Sequence, residues 1–132
     1  MQIPSSPGDA LDRLVILALK STRIDDPERV AVAQRHHAAL RRAWTHHGLP
    51  APSSLPSFHQ LMEVNGQLWE VEDALRAHEA DGRFDEAFVA LARRVYQLND
   101  RRAALKAAVD ARFDAEHPEV KSYGTARDSI ST

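Results

Sequence analysis

The sequence predicts an all-α domain of four helices paired as two antiparallel hairpins, and three features point that way. Apolar residues recur at helical spacing over four long stretches. Each stretch opens on a residue suited to capping a helix. Breakers are sparse: the 132 residues hold 5 glycines and 7 prolines, most of the prolines near the ends of the periodic stretches.

Taken in order, Ser6-Pro7-Gly8-Asp9 sets a capping serine before a first-turn proline, with an acid three residues beyond the serine. Helix 1 should therefore run from about Pro7 to Thr22. Asp25-Asp26-Pro27-Glu28 repeats the logic and opens helix 2, which Gly48 and Pro50 stop near His47. A proline- and serine-rich loop, Leu49 to Pro56, follows. Ser57-Phe58-His59-Gln60 reads as a capping box for helix 3, which ends near Ala80 ahead of Gly82. Asp85 caps helix 4, which meets neither proline nor glycine before Ala115. Residues 1–116 are thus the helical bundle domain. Residues 117–132, with Pro118, Gly124 and several serines and threonines, read as a flexible, extended or disordered tail. Short connections make consecutive helices antiparallel neighbours.

Composition narrows the function classes. Hydrophobic residues at 43% and charged residues at 27% are those of a globular chain with one core. The net charge of −2, from 17 basic and 19 acidic residues, argues against a protein that neutralises many phosphates, so nucleic acid is not an expected partner. Arg35, Arg41 and Arg42 on helix 2 read as a solvated face. With no cysteine, disulfide scaffolds, thiolate metal sites and a cysteine nucleophile are excluded. His36-His37 and His46-His47 lack a second histidine four residues along their helix, since Leu40 and Arg41 occupy those places, so no metal is expected. Neither a phosphate loop nor a nucleophile elbow is present, and no cofactor is expected. The N-terminus lacks the pattern of a signal peptide, and the longest apolar run, Leu14 to Leu19, is too short to span a bilayer. The expected location is the cytoplasm, away from membranes.

The helix faces single out particular side chains. Helix 4 carries a stripe of Phe84, Phe88, Leu91, Val95, Leu98, Leu105, Val109 and Phe113, and Arg102 falls in its middle, with Asn99 and Lys106 at its edge. A guanidinium so placed needs a carboxylate partner, a ligand anion or a wet cavity. Helix 3 has Leu61, Val64, Leu68, Val71 and Leu75 as its stripe, flanked by Phe58, Asn65, Trp69, Glu72 and Arg76. A turn near Gly82 brings Asn65 opposite Asn99, Trp69 opposite Tyr96 and Glu72 toward Arg93, a polar seam that would serve equally as the wall of a pocket. Glu72 and Arg76 are spaced as an i,i+4 pair. Helix 1 is apolar nearly all round, with Asp12, Arg13, Lys20 and Arg23 in a narrow polar sector, as suits a central helix or one in a dimer interface. Helix 2 is rich in alanine and arginine, with Leu40 and Trp44 as its anchors.

Several of these residues also occur together as an ordered pattern: Ser6-Pro7-Gly8-Asp9-Ala10-Leu11-Asp12, then Ile16-Leu17 with Lys20, Arg23 and Ile24, then Asn65 with Leu68 to Asp73, then Asn99 to Lys106, and finally Lys121-Ser122-Tyr123. The pattern resembles a family of small bacterial all-helical proteins of unknown function, over roughly residues 3 to 123. The resemblance implies that Asp12, Lys20, Arg23, Asn65, Trp69, Glu72, Asp73, Asn99, Asp100, Arg102 and Lys106 belong to a family pattern, and it implies no activity. The chain departs from that family at Ala18 and Thr22, where relatives carry acids, which leaves Lys20 and Arg23 with fewer local counter-charges. A much looser similarity is to the all-helical chorismate mutases, which clamp a dicarboxylate among helices with arginines and lysines. Arg23, Arg102, Lys106 and Asn99 would be the matching residue types, but that family's ordered motif is absent.

Two functions are weighed on these grounds. One is an interaction or accessory protein, a homodimer or a partner-docking bundle, motivated by the breadth of helix 1, the lack of catalytic signatures and the polar tail. The alternative is an enzyme or binder for a small anionic ligand, a carboxylate or sugar phosphate, held by Lys20, Arg23, Asn99, Arg102 and Lys106. Asp12, Asn65, Trp69, Glu72 and Asp73 would then form the adjoining polar seam.

Overall fold

The computed structural model describes residues 6–116. They form four helices: α1 Pro7–Arg23, α2 Pro27–His46, α3 Pro56–Asp81 and α4 Glu86–Glu116, with a 3-10 turn at Pro52–Ser54 before α3. The C-terminal segment 117–132, expected to be a tail, lies outside the described residues.

The caps explain where the helices begin. Ser6 Oγ accepts from the Asp9 amide at 3.1 Å, Asp26 Oδ1 from the Glu28 amide at 3.0 Å, and Asp85 Oδ1 from the Phe88 amide at 3.0 Å. Each satisfies an amide that the first helical turn leaves without a partner. Helix α3 departs from expectation. It starts at Pro56, so Ser57 lies inside the first turn, and its N-cap is Leu55 with no side-chain bond. Proline supplies a preset φ and removes one amide that a cap would otherwise have to satisfy. The α3–α4 turn closes on Gly82 at φ 66°, a left-handed conformation that side chains resist.

Helix α1 packs against each of the other three, while α3 and α4 pair along their length. The core gathers Leu11, Leu14 and Val15 of α1, Leu40 and Trp44 of α2, Leu61 and Val64 of α3, and Leu98, Val109 and Phe113 of α4. Most of the apolar breadth of α1 is thus buried against the other three helices, with Ile16 and Ala18 only partly covered. The stripe on α4 is buried only in its second half: Phe84 is 58% exposed. Length is the reason. At 1.5 Å per residue α1 spans about 26 Å, whereas α3 and α4 span about 39 and 46 Å, so the far end of the α3/α4 hairpin outruns the helix that covers its base. Among the described residues, no helix is long and apolar enough to cross a membrane.

Where α1 enters the bundle it meets α4 backbone to backbone. A Cβ on Gly8 would collide with the Lys106 carbonyl oxygen, and the Gly8 amide donates to Asp110 Oδ1 at 2.6 Å. This close approach sets the next two turns of α1 within side-chain reach of α4.

Candidate functional site

Three acidic contacts climb the α1–α4 seam a turn or so apart. Gly8 meets Asp110, Asp9 Oδ1 takes Lys106 Nζ at 2.9 Å, and Asp12 takes Arg102. The last contact is the strongest. Arg102 Nη2 donates to Asp12 Oδ2 at 2.6 Å and Nε donates to both carboxylate oxygens at 3.0 and 3.1 Å, a fork-on-carboxylate geometry. Asp12 is 3% exposed and also accepts from Asn65 Nδ2 at 2.9 Å, so its charge is fully met inside the protein. The Asp12 hydrogen bonds hold Arg102 above its ordinary pKa against the opposing effect of burial, and the charges of Asp12, Glu72 and Asp9 add to the rise.

Beyond this pair the seam opens into a cavity of about 200 Å³ between α1, α3 and α4. Its apolar side is Ile16, Leu19 and Leu68; Trp69 adds an indole, and Asn65, Glu72, Asn99 and Arg102 supply the polar groups. Asn65 and Asn99 therefore share one wall space, as the hairpin register implied. Tyr96 points outward at 73% exposure instead of lying against Trp69. Glu72 faces the cavity and Arg102, and among the described residues it makes no ion pair with Arg93 or Arg76. Arg76 pairs with Asp73 at 3.1 Å, outside the cavity.

The five residues grouped for an anion do not converge. Lys20 lines a separate α1/α2 cleft with Arg13 and Arg29, Arg23 reaches Glu70 at 3.6 Å, and Lys106 is taken by Asp9. Only Asn99 and Arg102 meet. The reason is helical geometry: Lys20 lies about 80° around α1 from Asp12, toward the α2 cleft, whereas Arg23 shares the Asp12 side but sits about 16 Å farther along the axis, where it reaches Glu70. Among the described residues no cluster of histidine, aspartate or glutamate is arranged to hold a metal ion. Sequence reading placed Gly8 and Asp9 only in the helix cap and the family pattern, and missed both their contacts with α4 and Asp110; the one available signal for the close approach was a glycine in the first turn of a helix, where alanine would be the better former.

The family model that matches the chain extends over residues 1–132 and is described as a family of unknown function (DUF6165). The chain belongs to that family. No curated protein and no solved structure matches it.

The foot of the seam gives a pH prediction. Burial pushes the Asp110 carboxyl up from its ordinary value; the bonds from the Gly8 amide and the Ser6 hydroxyl oppose this, and the charges of Asp9 and Asp114 add to it. With the folded value raised, the folded state holds this proton more tightly than the unfolded chain does. The contribution of Asp110 to stability is full below the ordinary carboxylate range and is lost as pH rises through the folded value. Asp110→Asn keeps an acceptor for Gly8 without the charge. The variant should be the more stable protein in denaturant titrations at neutral pH, with the gap closing on acidification. A variant less stable than its parent at neutral pH would refute the assignment.

Proposed function

We propose that the chain is a helical accessory protein that works as a homodimer, two copies pairing along the free side of α4. The observation that supports this is the stripe formed by Val89, 52% exposed, Tyr96, 73% exposed, and Ala103. These residues are spaced one heptad apart on one side of α4, as in a seam between two helices. Nothing within the described chain covers Tyr96.

A second copy fits this stripe better than an unrelated helix. The stripe is symmetric about Tyr96, so a two-fold axis there lays Val89 of one copy against the partner's Ala103, large against small. Arg93 and Asp100 are likewise a heptad apart beside the stripe, both exposed and, among the described residues, without an ion pair. In an antiparallel pairing equivalent flanking positions meet, so Arg93 of each copy lies beside the partner's Asp100. Dimerisation would also cover part of the hairpin end that α1 leaves open.

Light scattering on the eluted full chain should give the mass of two copies. Tyr96→Glu should give the mass of one with the far-ultraviolet circular dichroism unchanged. Arg93→Asp should weaken the dimer, and adding Asp100→Arg to it should restore the dimer. A parent that stays monomeric, or a dimer indifferent to Tyr96→Glu and to the charge exchange, removes the proposal.

A further inference from the structure

We propose that the α1/α3/α4 cavity binds one neutral sugar ring, either a free monosaccharide or a single residue of a longer saccharide. The first observation is an orphaned acceptor. Asn65 is 6% exposed, and its Nδ2 donates both to Asp12 Oδ1 at 2.9 Å and to the Leu61 carbonyl at 3.0 Å. Two acceptors on the one nitrogen fix the orientation of the amide, which leaves Oδ1 without a donor among the described residues. A buried carbonyl of this kind costs about 1–3 kcal/mol when nothing donates to it, and Asn65 lines an open cavity.

The other walls define what can fill it. Arg102 uses Nε and Nη2 on Asp12, and its Nη1 group has no acceptor among the described residues. Glu72 and Asn99 also make no hydrogen bond there. The cavity therefore offers acceptors at Asn65 and Glu72, donors at Arg102, and both at Asn99. The charges decide against an anion. Arg102 is cancelled by Asp12, so Glu72 leaves the walls net negative, and a phosphate or carboxylate would meet that charge at close range. Hydroxyl groups suit the array, because one oxygen both donates and accepts. Adjacent ring hydroxyls can donate to Asn65 and Glu72 while accepting from Arg102. The C–H faces of the same ring have Trp69 and Leu68 to pack against. At about 200 Å³ the space falls below the roughly 300 Å³ at which sites for drug-sized ligands begin, so it suits a single ring.

The test is a two-dimensional NMR titration of the full chain, reading the side-chain amides of Asn65 and Asn99 and the indole of Trp69. The probes are neutral hexoses, an N-acetylhexosamine, a neutral trisaccharide and inorganic phosphate, each up to about 50 mM, enough to half-fill a site with a Kd of that size. At least one neutral sugar should move all three groups together. Tighter binding of the trisaccharide identifies a residue within a chain as the ligand, and equal binding identifies the free sugar; either supports the proposal. Glu72→Ala and Asn99→Ala, both at exposed positions, should each weaken binding about tenfold with the backbone spectrum otherwise retained. Silence from every neutral sugar overturns the proposal. So does phosphate moving the same three groups, or sugar binding that both variants leave unchanged.

Discussion

Replacing Trp44 with alanine is expected to lower the unfolding free energy by about 3–5 kcal/mol, the largest loss for any single residue of α2. Trp44 is completely buried, its ring meets Phe113 edge-on at 6.2 Å, and its Nε1 donates to the Pro50 carbonyl at 2.6 Å. One side chain thus ties α2 to α4 and closes the loop that leads into α3. The rest of α2 is poor in large apolar groups: Leu40 is its other major anchor, with the small Ala33 and Ala43 beside it. Truncation removes the ring, leaves a void that the flanking helices fill incompletely, and strips the Pro50 carbonyl of its donor. Trp44→Phe keeps most of the apolar volume and loses the hydrogen bond, so it should cost about 1–3 kcal/mol. Urea titration followed by circular dichroism measures both. An alanine variant within about 1 kcal/mol of the parent would mean that α2 is held by other contacts.

That Trp44 anchors α2 was readable from the sequence because the helix offers almost nothing else to bury. The starts of α1, α2 and α4 were equally plain, since a serine or aspartate at the boundary has a local function that tertiary packing does not alter. The cap of α3 was misread for a related reason: Ser57 has the chemistry of a cap, but Pro56 ahead of it had already begun the helix. Register along the α3/α4 hairpin was accessible because Gly82 fixes the turn, and 65 and 99 are equidistant from 82. Periodicity gave the direction of the α4 stripe without its reach. Whether Phe84 is covered depends on where another helix ends, which is a property of α1.

Charge partners were the least legible part. A sequence displays only the pairs that a single helix brings together, so Glu72 and Arg76 stood out although Arg76 turns to Asp73. The same blindness gathered Lys20, Arg23 and Lys106 around Arg102 by residue type, when each faces a different neighbour. The partner of Arg102 lies 90 residues away on α1, and nothing local to either residue pairs them. Their meeting depends on the approach of α1 to α4 at Gly8, and the need for that approach is three-dimensional.

The Asp12–Arg102 pair should therefore respond asymmetrically to substitution. Arg102→Leu is expected to cost about 3–5 kcal/mol, because it strands a carboxylate whose side chain is only 5% exposed with no cation to meet it. Asp12→Leu should cost less, about 1–3 kcal/mol. The Arg102 side chain is 30% exposed and can turn its head toward water, while Asn65 keeps its bond to the Leu61 carbonyl. The double variant, with neither charge left to desolvate, should be more stable than Arg102→Leu alone, giving a coupling energy of about 1.5–3 kcal/mol in a double-mutant cycle. The order of the single losses is the sharper part of the test. If the aspartate is worth more than the arginine, solvent reaches the carboxylate and the pair is not the buried post on which the cavity walls are set. If the two losses simply add, the guanidinium and carboxylate stand side by side without depending on each other, and the net negative charge assigned to the cavity walls loses its basis, because Arg102 would then be free to meet an anion.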